Sequence, residues 1–456
     1  MTLKPTHYRL THARSDAVRS TAMGDQRAWR NWGRTQSCNP AAVERPRSDF
    51  EVVEAVRRAE AAGQRVKVVG GGHSFTDIAC TDGRMLSLDM LDRVVAVDES
   101  TATVTVEAGI TIHRLDEELA TRGLALANLG DIDRQSIAGA ISTATHGTGA
   151  GFGGLATFVR ALELVTADGE VLRCSPDEEP EVFHSARVGL GALGVVTKVT
   201  LQCVPAFTLR HVEQRRRFDE VLEELDTLVD TNDHFEFYWT PHTDSCSTIA
   251  NNRTDEEPIV KSAYQRWQAE VFYPNYFFGV IIALGRARPN LIPRLNQVVA
   301  GGLGTTLLVD RSDRIFISTR LVRFAEMEYA VPRARAVDAV RGVCDLVERN
   351  DFRVGFPIEV RFTASDDIPL STASGRDSCY VAVHMARGVD YEPYFRGVEA
   401  VMDDLEGRPH WGKIHFQDAA TLAGRYPQWD RFQTVRGKLD PKGRFANAYL
   451  DRVLGA

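Results

Sequence analysis

A strand that runs directly into three glycines and a histidine constrains this chain more than any other stretch. Residues 66–69 are apolar and β-branched except for Lys67, which is typical of a buried strand. Gly70–Gly72 and His73 follow at once. Successive glycines allow a sharp turn and let backbone N–H groups approach a ligand such as a pyrophosphate. A plain glycine-rich surface turn with an exposed histidine explains the same residues, so both interpretations stay open here.

The common glycine motifs do not fit this turn. A Rossmann fingerprint requires a third glycine where Phe75 stands, and a nucleophile elbow requires a glycine where Thr76 stands. A Walker A loop requires a Gly-Lys-Ser/Thr ending, which the turn lacks. The turn therefore indicates neither of those nucleotide sites nor a serine hydrolase.

Composition narrows the class of protein. The chain has 456 residues, enough for two or three domains, and its net charge of −8 argues against a nucleic-acid partner. We find no apolar run long enough to span a bilayer, so no integral membrane segment is expected. The 7 cysteines are scattered and form no Cys-x-x-Cys pair, which favours reduced thiols and predicts a cytoplasmic location.

Small and hydroxylated residues dominate a second stretch, residues 128–149. It has too few large apolar groups to form a core element by itself. Its backbone amides and its Ser and Thr hydroxyls can wrap a polar, extended ligand. A Gly/Ser/Thr-rich loop without a ligand is the alternative.

A predicted strand at 354–362 carries an acid and a guanidinium on one face. Side chains alternate along a strand, so Glu359 and Arg361 point the same way, opposite an apolar face. The two residues fit a structural ion pair, or they can line a pocket for a polyhydroxylated substrate. Elsewhere we predict a strand at 315–324 and irregular structure at 251–275.

A lysine near the C-terminus lies in an aromatic and glycine-rich context. Lys413 follows His410-Trp411-Gly412 and can place a fixed positive charge near a developing anion. The spacing of His410 and His415 matches no standard metal motif, so no metal site is predicted.

Together these four stretches resemble the vanillyl-alcohol-oxidase, or PCMH-type, family of FAD-linked oxidoreductases. Residues 70–74 resemble its covalent-flavin loop, and residues 128–149 resemble its second FAD-wrapping segment. Glu359-x-Arg361 and residues 410–413 resemble its sugar-lactone and alditol oxidase branch. The resemblance extends from about Trp29 to the C-terminus.

The resemblance implies an α+β fold with two domains. A PCMH-type FAD-binding domain would span residues 29–205, and residues 411–456 would return to it. A substrate-binding cap domain, with an antiparallel sheet covered by helices, would span residues 206–410. Residues 1–28 are polar and basic, and we expect a poorly ordered N-terminal extension there.

The resemblance also implies roles for particular residues. His73 would carry FAD covalently, through a bond from its ring to the 8α-methyl group of the flavin. The other cofactor-binding residues would be Val69, Gly70, Gly71, Gly72, Ser74, Gly130, Asp131, Ser136, Gly139, Ser142, Thr145, Gly147, Val195, Val196 and Lys413. The catalytic residues would be Glu359, Arg361 and Lys413. The substrate-binding residues would be Asp131, Glu359, Arg361, His384 and Lys413.

The implied reaction is FAD-dependent oxidation of an aldono-1,4-lactone at C2 by hydride transfer to flavin N5. The lactone would be of the L-gulono, L-galactono or D-arabinono type, and the product of the ascorbate type. Oxygen or another acceptor would reoxidise the flavin, and the small Gly130 permits an oxygen path.

Two alternatives remain. The first is an alditol oxidase that acts on an open-chain polyol such as xylitol and produces hydrogen peroxide. Such enzymes typically have a serine where Asp131 falls and a histidine near Ala382, whereas this chain has His384, so a lactone is favoured. The second is a flavin-free sugar-binding protein on the same scaffold.

Overall fold

A computed structural model describes residues 28–456 of the chain. The N-terminal extension expected at 1–28 lies, except for its last residue, outside the described residues. Within the described part, none of the helices combines the length and apolar character needed to cross a membrane.

Two sheets build the N-terminal half. One is antiparallel and has 5 strands in the order Val171–Cys174, Val159–Val165, Val195–Gln202, Thr103–Glu107 and Val94–Asp98. The other is parallel and has 3 strands in the order Ala42–Glu44, Arg84–Ser87 and Val66–Val69. Helix Asp49–Ala61 precedes the strand that leads into the glycines, and Ser48 caps its N-terminus by accepting from the Glu51 N–H.

Both sheets contribute to one apolar core, and the C-terminal helices Trp429–Leu439 and Ala448–Leu454 pack into it through Phe432 and Tyr449. Asn447 strengthens this attachment, since its side chain donates to the carbonyl oxygens of Ile78 and Cys80. The chain end is thereby fixed beside the glycine turn.

A mostly buried antiparallel sheet of 8 strands forms the other half. Its strand order is Thr306–Arg311, Thr208–Arg217, Ser245–Thr254, His234–Trp239, Ile358–Thr363, Ser378–Ala386, Phe324–Pro332 and Arg408–Pro409. One face is apolar, as at Phe237 and Val360, and helices Ala336–Arg349 and Glu392–Asp403 cover it. Because side chains alternate, the opposite face receives the polar residues of the same strands.

The remaining elements are short. The strands are Trp29–Arg30, Ser37–Cys38, Leu124–Ala125 and Val204–Pro205. The α-helices are Ile112–Ala120, Ile137–Ser142, Pro180–Ala186, Phe218–Glu223, Leu225–Asp230, Ala263–Trp267, Phe278–Ala287, Ile292–Gly302, Ser312–Phe316 and Ala419–Ala423. Gln268–Phe277 is a π-helix, and Leu155–Phe158, Pro289–Leu291 and Arg333–Arg335 are 3₁₀ turns.

Two local predictions were wrong. The strand expected at 315–324 does not form, because helix Ser312–Phe316 ends there and the strand begins only at Phe324. Irregular structure was expected at 251–275, but it is confined to residues 255–262: a strand ends at Thr254, and helix Ala263–Trp267 leads into the π-helix. Ser262 starts that helix through a capping box with Gln265, a signal that the sequence carries.

Candidate active site

The glycine turn packs tightly against a neighbouring segment. A Cβ at Gly71 would clash with the carbonyl oxygen of Arg134, and a Cβ at Gly70 would clash with the Ser136 hydroxyl. Among residues 28–456, the backbone N–H groups of Gly71, Gly72, His73 and Ser74 have no hydrogen-bond acceptor. The turn therefore offers successive free donors that a pyrophosphate can accept from.

Two cavities meet at this turn. A groove of about 120 Å³ follows the glycines, and a larger cavity of about 670 Å³ lies against the polar face of the large sheet. The residues that line both are His73, Ser74, Gln135 and Thr143. Through these shared residues the two cavities connect the phosphate donors of the turn to the charged sheet face.

His73 stands at the junction of the two cavities. Its half-buried ring stacks on Trp32, with ring centroids 5.4 Å apart. Burial lowers the pKa of His73 to about 4, so the ring is neutral at physiological pH. Its Nδ1 atom is buried and has no hydrogen-bond partner within the described chain. A neutral, unpartnered imidazole nitrogen at this position fits a bond to a flavin.

Arg361 is the centre of the first charge cluster on the sheet face. Its Nε donates to Glu236 Oε2 at 2.6 Å, and its Nη2 lies 2.5 Å from Glu359 Oε1. Tyr238, which pairs with Glu359 across neighbouring strands, donates to Glu359 Oε1 at 3.2 Å. Asp131 Oδ1 lies 3.7 Å from Arg361 Nη1. Arg361 therefore holds three carboxylates in one place.

Lys413 is the centre of the second cluster. Its Nζ lies 2.6 Å from Glu326 Oε1 and 2.9 Å from Glu328 Oε2. The glycine turn positions this lysine, because the Phe75 N–H donates to the Gly412 carbonyl at 2.6 Å. Lys413 is therefore the residue directly after Gly412, whose carbonyl is held by Phe75, two residues beyond His73.

Burial and neighbouring charges shift the pKa values of these groups in opposite directions. Burial raises the pKa of Glu359 above its usual value, although Arg361 opposes the rise. Burial alone would lower the pKa of Lys413, but Glu326 and Glu328 together raise it. Lys413 is therefore a permanent cation, and Glu359 is a carboxylate that takes a proton more readily than usual.

Most of the predicted site residues lie on the walls of these two cavities. The larger cavity is lined by His73, Ser74, Gly130, Asp131, Thr145, Glu359, Arg361, His384 and Lys413. The groove is lined by Val69, Gly70, Gly71, Gly72, Ser136, Gly139, Ser142 and Val196.

Two of the predicted residues lie elsewhere. Val195 is fully buried in the apolar core, because strand alternation directs it inward and leaves Val196 at the groove. Gly147 lines a third cavity of about 310 Å³ and packs against the Leu129 carbonyl.

Sequence reasoning missed several residues of the site. Glu236 and Tyr238 share an alternating strand with apolar residues, a signal that could have assigned them to the polar face. Arg320 lies outside regular structure, and its Nη2 donates to Asp131 Oδ2 at 2.9 Å. No sequence pattern indicates that contact.

The two histidines considered for metal binding lie apart. His415 contacts the Tyr449 hydroxyl in the core at 3.0 Å. His410 instead lies beside His146 and Glu328, and potential ligand atoms of these three are within 4.8 Å of one another. Because Lys413 already neutralises Glu328, we retain the prediction of no metal site.

Two family models match the chain. A model described as an FAD-binding domain matches residues 40–175, where the glycine turn lies, so the cofactor is FAD. Fold and site together define the protein as an FAD-linked oxidoreductase. The chain belongs to the D-arabinono-1,4-lactone oxidase family, whose model matches residues 199–453.

Two curated relatives are similar in sequence to nearly the whole chain. L-gulono-1,4-lactone dehydrogenase of Mycobacterium tuberculosis is 50% identical over 94% of this chain and 99% of its own length. L-gulonolactone oxidase of Bos taurus is 39% identical over 93% of this chain and 98% of its own length.

Solved structures confirm the fold. A solvent-stable cholesterol oxidase has a TM-score of 0.78 and 18% identity, and the match covers 94% of this chain and 98% of that one. The resemblance stated from the sequence and the α+β, PCMH-type fold are both confirmed. The domain boundaries and the roles of individual residues stay predictions.

The Gly71→Ala variant is expected to lose most of its flavin. The added methyl group would force the turn away from Arg134 and misalign the free N–H donors. The ratio of flavin absorbance to protein absorbance after purification measures the loss. Gly437→Ala is the matched control, because a Cβ there meets no atom within 4 Å. Equal flavin content in both variants would contradict this assignment of the turn.

Proposed function

We propose that this protein oxidises an aldono-1,4-lactone at C2, with FAD as the hydride acceptor and an ascorbate-type product. One observation carries the proposal: the ion pair of Glu359 and Arg361 on the sheet face lines a cavity. Lys413 and His73 line the same cavity. The relatives named for L-gulonolactone, and the family model named for D-arabinono-1,4-lactone, support the same substrate class.

FAD, when bound, supplies hydride acceptance at N5. Arg361 and Lys413 provide fixed positive charge to a cavity whose lining includes many apolar side chains, and such charge acts most strongly where water is excluded. Glu359 accepts a hydrogen bond from a substrate hydroxyl, and its raised pKa suits a group that takes up that proton. Tyr238 and Arg361 keep the Glu359 carboxylate in position.

The charge balance of the cavity favours a neutral substrate. Among the described residues, its lining includes the carboxylates Asp131, Glu213, Glu326, Glu328 and Glu359 and the cations Arg320, Arg361 and Lys413. Carboxylates are hydrogen-bond acceptors, which suit the donor hydroxyls of a sugar. An open-chain aldonate would add a further negative charge to a wall that already has an excess, whereas its lactone adds none.

The experiment that tests the function compares lactones, aldonates and polyols. We expect L-gulono-, L-galactono- or D-arabinono-1,4-lactone to bleach the flavin absorbance without oxygen and to support turnover with oxygen or a dye acceptor. The matching aldonate is expected to have a kcat/KM at least about 100-fold lower, because a buried like charge costs several kcal/mol. Xylitol as the best substrate, or no bleaching by any lactone, would contradict the proposal.

We further propose that His73 holds FAD covalently. The neutral ring and the unpartnered Nδ1 atom support this attachment. After acid precipitation, we expect the washed pellet of the native protein to stay yellow. The pellet of the His73→Ala variant is expected to lose its colour to the supernatant. His184→Ala is the control, since His184 contacts Asp367 away from both cavities. Colour in the native supernatant would show that FAD binds without the bond.

A further inference from the structure

Tyr238 belongs to the shared wall of two cavities. The third cavity, of about 310 Å³, adjoins the charge cluster of Arg361. Tyr238 and Arg361 line both this cavity and the larger one of about 670 Å³. Within the part of the chain that the structure describes, Glu359 lines the larger cavity alone, and Glu236 lines the third cavity alone. The phenol and the guanidinium thus lie between two carboxylates that face different spaces.

The Tyr238 hydroxyl is equally close to both carboxylates. Its oxygen lies 3.2 Å from Glu359 Oε1 and 3.3 Å from Glu236 Oε1. A hydroxyl has one proton to donate and two lone pairs that accept. Arg361 Nη2, 3.4 Å away, donates to one lone pair. The other lone pair can therefore accept a proton from one carboxyl group while the phenol gives its own proton to the other.

The charges around Tyr238 suit this exchange. Arg361 Nε donates to Glu236 Oε2 at 2.6 Å, which leaves Glu236 Oε1 to face the phenol. On the substrate side, burial raises the pKa of Glu359, which favours the uptake of a proton there. Burial also raises the pKa of Tyr238, although Arg361 and Arg320 oppose the rise. The phenol therefore keeps a proton to pass on.

The third cavity is able to receive the proton. Its lining beside Glu236 is rich in polar side chains, which belong to His211, Glu213, Thr240, Ser247 and Asn251. Two of them already form a pair, because Ser247 Oγ donates to Glu213 Oε1 at 2.7 Å. A polar cavity of about 310 Å³ is large enough for several water molecules, and these can carry the proton onward.

We propose that Tyr238 relays the substrate proton from Glu359 to Glu236 and into the third cavity. The inference rests on the proposed lactone oxidation, in which the C2–H bond gives its electron pair as a hydride to FAD. The O–H bond at C2 breaks at the same stage and gives its proton to Glu359. Glu359 then donates to the Tyr238 oxygen while the Tyr238 proton moves to Glu236 Oε1, so the phenol ends as it began.

The relay gives the proton an exit that does not cross the substrate. Glu359 has to lose its proton before the next turnover. Its side chain is 8% exposed, and the space that it faces is the cavity in which the lactone reacts. Through Tyr238 the carboxylate is restored while the product still occupies that cavity.

The Tyr238→Phe variant tests the relay, because it removes the hydroxyl and keeps the ring. Arg361 still holds Glu359 at 2.5 Å, so the first reduction of the flavin by a lactone, measured by stopped flow, is expected to stay close to the native rate. Steady-state turnover is measured with ferricyanide, which takes electrons without protons. Its kcat is expected to fall by about 100-fold, the lower end of what a positioned proton-transfer group contributes.

A small buffer distinguishes a relay from a structural role. Imidazole is expected to restore the kcat of Tyr238→Phe as its concentration rises, because it can take the proton of Glu359 directly once the product has left. It should not change the native kcat. Glu236→Gln is expected to behave like Tyr238→Phe, since its amide oxygen still accepts from Arg361 but cannot take the proton.

Tyr380→Phe is the matched control for both variants. Tyr380 lies in the same sheet, and its buried hydroxyl contacts Thr372 Oγ1 at 2.9 Å. This variant therefore loses a buried, hydrogen-bonded phenol outside the relay. Its kcat with ferricyanide should stay close to the native value and should not respond to imidazole.

Two results would overturn the relay. One is an unchanged kcat in Tyr238→Phe, which would show that the proton leaves by another route. The other is a parallel fall in the first flavin reduction and in kcat without rescue by imidazole, which would show that the hydroxyl only positions Glu359. Failure of the proposed function gives a different result: no lactone would bleach the native flavin, and the relay that rests on this function would fall with it.

Discussion

Replacing Lys413 with methionine is expected to lower kcat by about 100- to 1,000-fold, the usual cost of removing a fixed charge that stabilises a developing anion. Methionine keeps the length and apolar stem of the side chain but removes the cation. Glu326 and Glu328, now 2.6 and 2.9 Å from Lys413 Nζ, would lose the partner that keeps their pKa values low. The rate of flavin reduction by the lactone in a stopped-flow experiment measures the effect directly.

Lys438→Met is the matched control for this variant. The Lys438 side chain is 70% exposed, and its Nζ lies 3.8 Å from Glu179 Oε2. A surface ion pair of this kind contributes little to the stability of the fold. The rate of flavin reduction in Lys438→Met should equal that of the native protein. A fall of less than tenfold in Lys413→Met, with flavin content unchanged, would show that this lysine is not part of the chemistry.

The Arg361→Met variant is expected to lower the free energy of unfolding by about 3–5 kcal/mol, since it leaves buried carboxylates without their partner. Glu236, Glu359 and Asp131 would then face one another without the guanidinium that contacts all three, and Arg320 would remain paired with Asp131. Urea denaturation followed by fluorescence measures the loss. Adding Glu359→Gln to this variant should recover part of it, because one of the repelling charges is removed.

The loss of unfolding free energy in the Arg361→Met variant should depend on pH. The pKa of Glu359 is already raised by burial, and without Arg361 it rises further. A carboxyl group with a raised pKa stabilises the fold while it is protonated and loses that contribution as the pH rises through its pKa. The variant should therefore be less destabilised at about pH 5 than at about pH 8.

Arg353→Met provides the comparison, because Arg353 pairs with Asp351 at the surface at 2.7 Å and a pair of this kind contributes at most about 1 kcal/mol. An Arg361 variant as stable as this control at both pH values would contradict the buried charge cluster.

The sequence determined the parts of the site that depend on short-range rules. Three glycines after a strand specify a turn that exposes backbone N–H groups, whichever partners surround it. Alternation within one strand placed Glu359 and Arg361 on a single face, and the structure has them there. Caps and periodicity likewise located helices such as Asp49–Ala61 closely.

The tertiary structure decided which charges meet. Glu236 lies beside Arg361 because strands His234–Trp239 and Ile358–Thr363 pair with each other, although more than a hundred residues separate them. Arg320 reaches Asp131 from a segment expected to be a strand, and Lys413 meets Glu326 across the sheet edge. Strand order and loop paths follow from packing over long sequence separations, whereas propensity and alternation act over a few residues. The sequence therefore determined the reactive side chains, and only the fold determined their partners.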